Sequence, residues 1–92
     1  MPIIIEWRTT ALENLIAIAR YIGKDNPKRA KSFRTELHLK IEDLSNHPKL
    51  GRVGRITGTR ELIIHQNYIA IYRISAKKIT ILHIKHAAQK FP

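Results

Sequence analysis

No cysteine occurs in the 92 residues. That absence excludes a disulfide framework, an iron–sulfur cluster, a thiolate zinc site and a cysteine nucleophile. Glycine and proline number four each, and no repeat, linker or low-complexity tract interrupts the chain. No apolar run approaches the ~20 residues that span a bilayer. The opening Met1-Pro-Ile-Ile-Ile-Glu6 is too short and too quickly polar for a signal peptide. Acid is the scarce ionised class: seven Asp and Glu stand against 17 Lys and Arg, a formal net charge of +10. The composition predicts one small cytoplasmic domain over 1–92, with no membrane partner and with a charge that suits an anionic one.

The few acids are unevenly placed. Residues 44–60 contain none yet carry Lys49, Arg52, Arg55 and Arg60, and residues 62–92 contain none yet carry Arg73, Lys77, Lys78, Lys85 and Lys90. Solvated surfaces ordinarily mix the two signs. The asymmetry points to a polyanion or to an acidic protein partner.

Hydrophobic periodicity orders the chain. Pro2 to Trp7 has the β-branched content of a short strand. Thr10 with Glu13 has capping-box spacing, Leu12, Leu15, Ile16, Ala19 and Ile22 follow at helical spacing, and Gly23 supplies a stop. Asn26-Pro27 opens a second helix whose stripe is Ala30, Phe33, Leu37, Ile41 and Leu44. The segment 48–58 reads as a loop or irregular strand. The period then changes to two: Arg60 to His65, Tyr68 to Ile74 and Ile79 to Lys85 are strands, with turns at Gln66-Asn67 and Ser75–Lys78. The result is an α+β domain, β-α-α-β-β-β, with a helical hairpin packed on one face of a small, mostly antiparallel four-stranded sheet. Tyr68-Ile-Ala-Ile-Tyr-Arg-Ile74 is apolar at both parities, so its second face is expected to take a tail or a bound protein, and Tyr68, Ile69 and Ile71 are its contact candidates.

Several residues carry chemistry-bearing potential. The loop Gly51-Arg-Val-Gly-Arg55 lacks the Gly-Lys-Ser/Thr of a phosphate-binding P-loop, yet it can bring amides and the Arg52 and Arg55 forks to phosphates. Arg60 opens a strand on the opposite face from Glu61 and is either a phosphate clamp or a structural ion pair with a helix carboxylate. His65, His83 and His86 lie on or beside the sheet, either as ordinary packed residues or as general acid–base groups. Arg73, Lys85 and Lys90 extend the cationic surface, and Trp7, Tyr68, Tyr72 and Phe91 are the platforms on which a base can stack. Three histidines in a field of +10 would repel a divalent cation, so neither a metal site nor a cofactor is expected.

Three runs together resemble the C-terminal half of the RelE/ParE superfamily of toxins: Gly58-Thr-Arg-Glu-Leu-Ile-Ile-His65, Asn67-Tyr-Ile-Ala-Ile-Tyr-Arg-Ile74 and Ile81-Leu-His-Ile-Lys-His-Ala-Ala-Gln-Lys-Phe-Pro92. Leu15-Ile-Ala-Ile-Ala-Arg-Tyr-Ile22 and Leu44-Ser-Asn-His-Pro48 resemble its helical hairpin. The resemblance implies the toxin of a type II toxin–antitoxin module, a growth inhibitor wrapped by a cognate antitoxin in a hetero-oligomer and serving plasmid stabilisation or stress response. It implies one of two activities. ParE-like members inhibit DNA gyrase, and this chain is closer to them. RelE-like members are metal-independent endoribonucleases that cut mRNA on the ribosome, and Arg60 and His86 match the basic residues of that chemistry. A non-toxic nucleic-acid-binding module is the third reading. The antitoxin is expected on the open sheet face and in the groove beside the hairpin.

Overall fold

The computed structural model describes residues 3–65 and 67–88. Five strands and two helices follow in the order β1 (Ile4–Trp7), α1 (Thr9–Asp25), α2 (Pro27–Asp43), β2 (Arg52–Val53), β3 (Arg60–His65), β4 (Tyr68–Ile74) and β5 (Lys78–His86). They form one mixed sheet in the order β1-β5-β4-β3-β2. β1 runs parallel to β5, and every other neighbouring pair is antiparallel. The expected four strands become five because Arg52–Val53, inside the glycine-rich segment, adds a two-residue edge to β3.

The helix boundaries report which local signals won. Asn26 caps α2 as expected: its Oδ1 accepts from the Arg29 amide at 3.0 Å, with Pro27 in the first turn. Thr10 is not the cap of α1. That helix begins at Thr9 with Arg8 in the cap position and no side-chain cap bond, because the Arg8 amide is fixed by the Ile81 carbonyl at 3.0 Å. Gly23 does not stop the helix either. It lies inside α1 with Ala30 of α2 3.4 Å from where a Cβ would sit, so its smallness serves helix–helix approach.

Ala30, Phe33, Leu37, Ile41 and Leu44 are all buried, as the stripe predicted. Phe33, Leu37, Ile41 and Leu44 pack in one core with Leu62, Ile64, Ala70, Tyr72, Ile79, Ile81 and Ile84 of the sheet. α1 departs from expectation. Ala11, Leu15, Ile18 and Ile22 face the core, while Leu12 and Ile16 are 45% and 53% exposed. This helix is apolar on two faces and can bury only one, so it carries an outward aliphatic stripe. Beyond β1, α1 also covers the free edge of β5: the Asn14 Oδ1 accepts from the Ile84 amide at 3.1 Å. No helix among the described residues is long and apolar enough to cross a membrane.

Candidate functional site

The basic residues of the second half sort into separate clusters. The first surrounds Tyr72, which is wholly buried. Its hydroxyl donates to the Pro48 carbonyl at 2.7 Å and accepts from the Gly51 amide at 2.9 Å. Arg60, opposite Tyr72 in the β3–β4 register, donates from Nη1 to the Gly51 carbonyl at 2.6 Å. Tyr72 and Arg60 therefore hold both polar groups of Gly51 and fasten the 48–55 loop to the sheet. A Cβ at Gly51 would fall 2.8 Å from the Tyr72 ring, so only glycine fits there. Burial pushes the Tyr72 phenol up, against the opposing pull of the Gly51 amide and Arg60.

The second cluster is centred on Glu61, whose side chain is only 2% exposed. Arg52 donates to Oε1 from Nε at 3.2 Å and from Nη2 at 3.0 Å, and the Arg55 amide donates to Oε2 at 3.0 Å. The Arg55 guanidinium lies 4.0 Å from the same carboxylate. Burial alone would raise this carboxyl. The Arg55 amide and the two guanidinium groups outweigh it and hold the group below its ordinary value. The two loop arginines, expected as phosphate forks, thus share a buried carboxylate. The β2–β3 register puts Arg52 opposite Glu61 and produces this pairing.

The third cluster lies at the other end of β3, β4 and β5. Tyr68 is opposite both His65 and His86. Phe33, Tyr68 and His86 stack edge-on with centroid separations of 5.0 and 5.2 Å. His86 Nδ1 accepts from the Ala88 amide at 3.1 Å. Arg29 of α2 meets His65 Nε2, while His65 Nδ1 is buried without a partner. Burial raises the Tyr68 phenol, helped by nearby Tyr21.

Arg60 and His86 lie at different ends of the strand register. Their partners on β4, Tyr72 and Tyr68, are four positions apart. At ~3.3 Å per residue and ~4.8 Å per strand, the two Cα atoms are about 16 Å apart. General acid–base action on one phosphate requires both groups within hydrogen-bond reach of it. Arg60 is moreover held at Gly51.

Other expected contacts fall elsewhere. Arg73 is exposed on β4, and Lys85 lies half-buried on β5. Ile69 and Ile71, expected on an open apolar face, are 2% and 1% exposed, and Tyr68 faces the helices. The reason is position: β4 is the central strand, and Ile69 and Ile71 are flanked in the register by Ile63 and Lys85 and by Glu61 and His83. Lys90 and Phe91 lie outside the described residues, as does Gln66. Among the described residues, no group of three or more His, Asp or Glu side chains gathers to hold a metal.

Accessible apolar surface is found on the hairpin, besides exposed residues such as Ile63 and Val53 on the β3–β2 side. One groove of about 430 Å³ is lined by Leu15, Ile16 and Ala19 of α1 and Ala30 and Arg34 of α2, with Arg20 beside them. A second, of about 470 Å³, shares Leu15 and Arg34 and reaches Trp7, Lys31, His38 and Leu39. The sequence signal for this surface is the excess of apolar residues on α1 over what one buried stripe needs.

A two-helix hairpin on a mixed five-stranded sheet is the architecture of the RelE/ParE superfamily of toxins. The fold is shared with the chromosomal ParDE toxin–antitoxin system of P. aeruginosa, at a TM-score of 0.82 and 23% identity over 91% of this chain and 95% of that one. It is shared also with the RelBE2 toxin–antitoxin complex of Mycobacterium tuberculosis, at 0.63 and 25% over 94% and 99%. In sequence the chain is 39% identical to the Y4kP protein of Sinorhizobium fredii over 96% of this chain and 92% of that protein. It is 32% identical to toxin RelE2 of Caulobacter vibrioides over 90% and 93%. Residues 5–91 match the family described as the ParE toxin of the type II toxin–antitoxin system parDE. The chain belongs to that family and is the toxin of a type II toxin–antitoxin pair.

Proposed function

We propose that this toxin arrests growth by binding and poisoning a protein target, with DNA gyrase the expected one, and that it does not cut mRNA. The observation that carries this reading is the commitment of Arg60 to the Gly51 carbonyl at 2.6 Å, at the other end of the strand register from His86. The pairing of the Arg52 guanidinium with Glu61 supports it further. A nuclease needs cations free to meet the charge that develops on phosphate, and Arg60 and Arg52 are engaged in holding the loop.

The cognate antitoxin, in this reading, seats an amphipathic segment on the hairpin groove, not on Tyr68, Ile69 and Ile71. Ile16 and Leu39, at 53% and 63% exposure, offer apolar contact. Arg20, Lys31 and Arg34 give the groove a cationic rim for the acids of the partner.

The test is induction of the chain in a bacterial host, with mRNA ends and plasmid supercoiling read in parallel. Altered supercoiling with an unchanged pattern of mRNA ends is expected, and His86→Ala is expected to retain it. Ribosome-dependent mRNA cleavage that His86→Ala abolishes would overturn the reading. Ile16→Glu is expected to escape neutralisation by the antitoxin while remaining toxic.

A further inference from the structure

We propose that α2 docks along the major groove of a DNA duplex and is held there by phosphates, with Lys28, Lys31 and Thr35 on the inserted crest and Arg34 and Lys40 on its two flanks. The inference stands on the shape and charge of this helix. It rests neither on the seat proposed for the antitoxin nor on the toxin's target.

Steps of three and four residues place Lys28, Lys31, Ser32, Thr35 and Leu39 on one strip of α2. They line one shared surface, with Glu36 at its border, and all five are exposed. Arg34 turns to the α1 side, into the groove that Arg20 borders. Lys40 turns to the opposite side, toward Leu62 and Ile63 of β3. Among the described residues, no ion pair engages Lys28, Lys31, Arg34 or Lys40. Two of the helix's acids are already paired: Glu36 lies 3.7 Å from the Arg29 guanidinium, and Glu42 lies 3.6 Å from His38. Asp43 is the last residue of α2, beyond the strip.

The shape selects the partner. α2 packs against α1 and β3, so its outer strip stands as a convex ridge, about 16 Å long from Lys28 to Leu39. A helix with its side chains is about 10–12 Å across, and the major groove of B-form DNA is about 12 Å wide. Cations on the crest and on both flanks then reach the phosphates of both walls. The major groove of an A-form RNA duplex is too deep and narrow for such a ridge. The strip carries no aromatic on which the bases of a single strand could stack. The Ser32 and Thr35 hydroxyls donate along the helix, to the Arg29 and Lys31 carbonyls at 3.1 Å each. Few directional donors are left for base edges, so phosphate contacts carry the affinity and sequence preference is weak.

The experiment is a fluorescence-anisotropy titration of the full chain against a short labelled DNA duplex, an RNA duplex of the same sequence and the single DNA strand. Four phosphate contacts predict a slope of log affinity against log salt of about −3.6, a loss of about 150-fold between about 50 and 200 mM. The RNA duplex and the single strand should bind more weakly. Lys31→Gln and Arg34→Gln should each make the slope shallower by about 0.9. Lys77→Gln, an exposed cation between β4 and β5, should leave it unchanged. Thr35→Glu sets a carboxylate on the crest and should weaken binding more than either glutamine variant. All four positions are exposed, and melting temperatures matching wild type confirm that the variants fold. RNA duplex or single strand bound as tightly as the DNA duplex would overturn the proposal. So would an equal change of slope in Lys77→Gln, the mark of diffuse attraction to a chain of charge +10, or unchanged affinity in Thr35→Glu.

Discussion

Replacing Tyr72 with phenylalanine removes one oxygen atom and leaves the ring, so it isolates the fastening of the 48–55 loop. The hydroxyl meets two groups that differ in their alternatives. Pro48 is half-buried, and its carbonyl can turn to water. The Gly51 amide belongs to a buried residue and loses its acceptor outright. A buried donor left unpaired costs about 1–3 kcal/mol, and we expect about 2 kcal/mol here, toward the middle of that range. For a domain of this size, that corresponds to a fall in melting temperature of about 8–16 °C. Arg60→Ala removes the bond to the other side of the same residue and should cost about 1 kcal/mol. This is more than a free surface arginine would show. Because both side chains act on Gly51, the double variant should deviate from additivity by about 0.5 kcal/mol or more. Thermal unfolding of the four proteins measures all three quantities. A Tyr72→Phe variant within ~0.5 kcal/mol of wild type, the range of unremarkable surface changes, would refute the clamp. Additive losses would show that Tyr72 and Arg60 do not act on one loop.

Glu61→Gln keeps the size of the side chain and removes the charge that Arg52 and the Arg55 amide address, and should cost about 2 kcal/mol in denaturant unfolding at neutral pH. The folded carboxyl lies below its ordinary value of 4.5, so its stabilisation is complete above that value and is lost as pH falls through the lower folded one; the variant should lack this acid step. His83 titrates with the same sign, since its folded value lies below 6.5: stability falls as pH drops below 6.5, and His83→Gln should flatten that part of the profile. Asn26→Ala removes the cap of α2 and should lower stability by about 1 kcal/mol, with faster amide exchange in the first turn of the helix.

Most of the framework was legible because the signals were local and strong. The α2 stripe is five apolar residues at three- and four-residue steps, and Asn26-Pro27 is a start signal with a mechanism. β3, β4 and β5 announce themselves by β-branched runs between turns. What escaped the sequence was set by contacts between distant segments. Thr10 lost the cap position because Ile81 fixes the residue before the helix. β2 has two residues, too few for any period to show. The pairing of Arg52 with Glu61 follows from strand register, and the intervening glycine loop hides it. The hairpin groove was half-visible: α1 has more apolar residues than one face requires, but only the packing decides that Ala11 and Ile18 go inward and Leu12 and Ile16 stay out.

The parallel pairing of β1 with β5 sets an order of events during synthesis. Ile4 bonds in register with Lys78, and Trp7 with Ile81, so the first strand made has no partner until nearly the whole sheet exists. The helical hairpin and the β3–β4 hairpin need only near neighbours and can form early. Closing the widest loop comes last, and contacts this far apart in sequence slow folding. A nascent toxin therefore passes through a stage in which its helices are present and its sheet is incomplete. At ~5–20 residues per second of elongation, that stage lasts seconds, an interval in which a pre-existing antitoxin can meet the chain before it becomes competent to act.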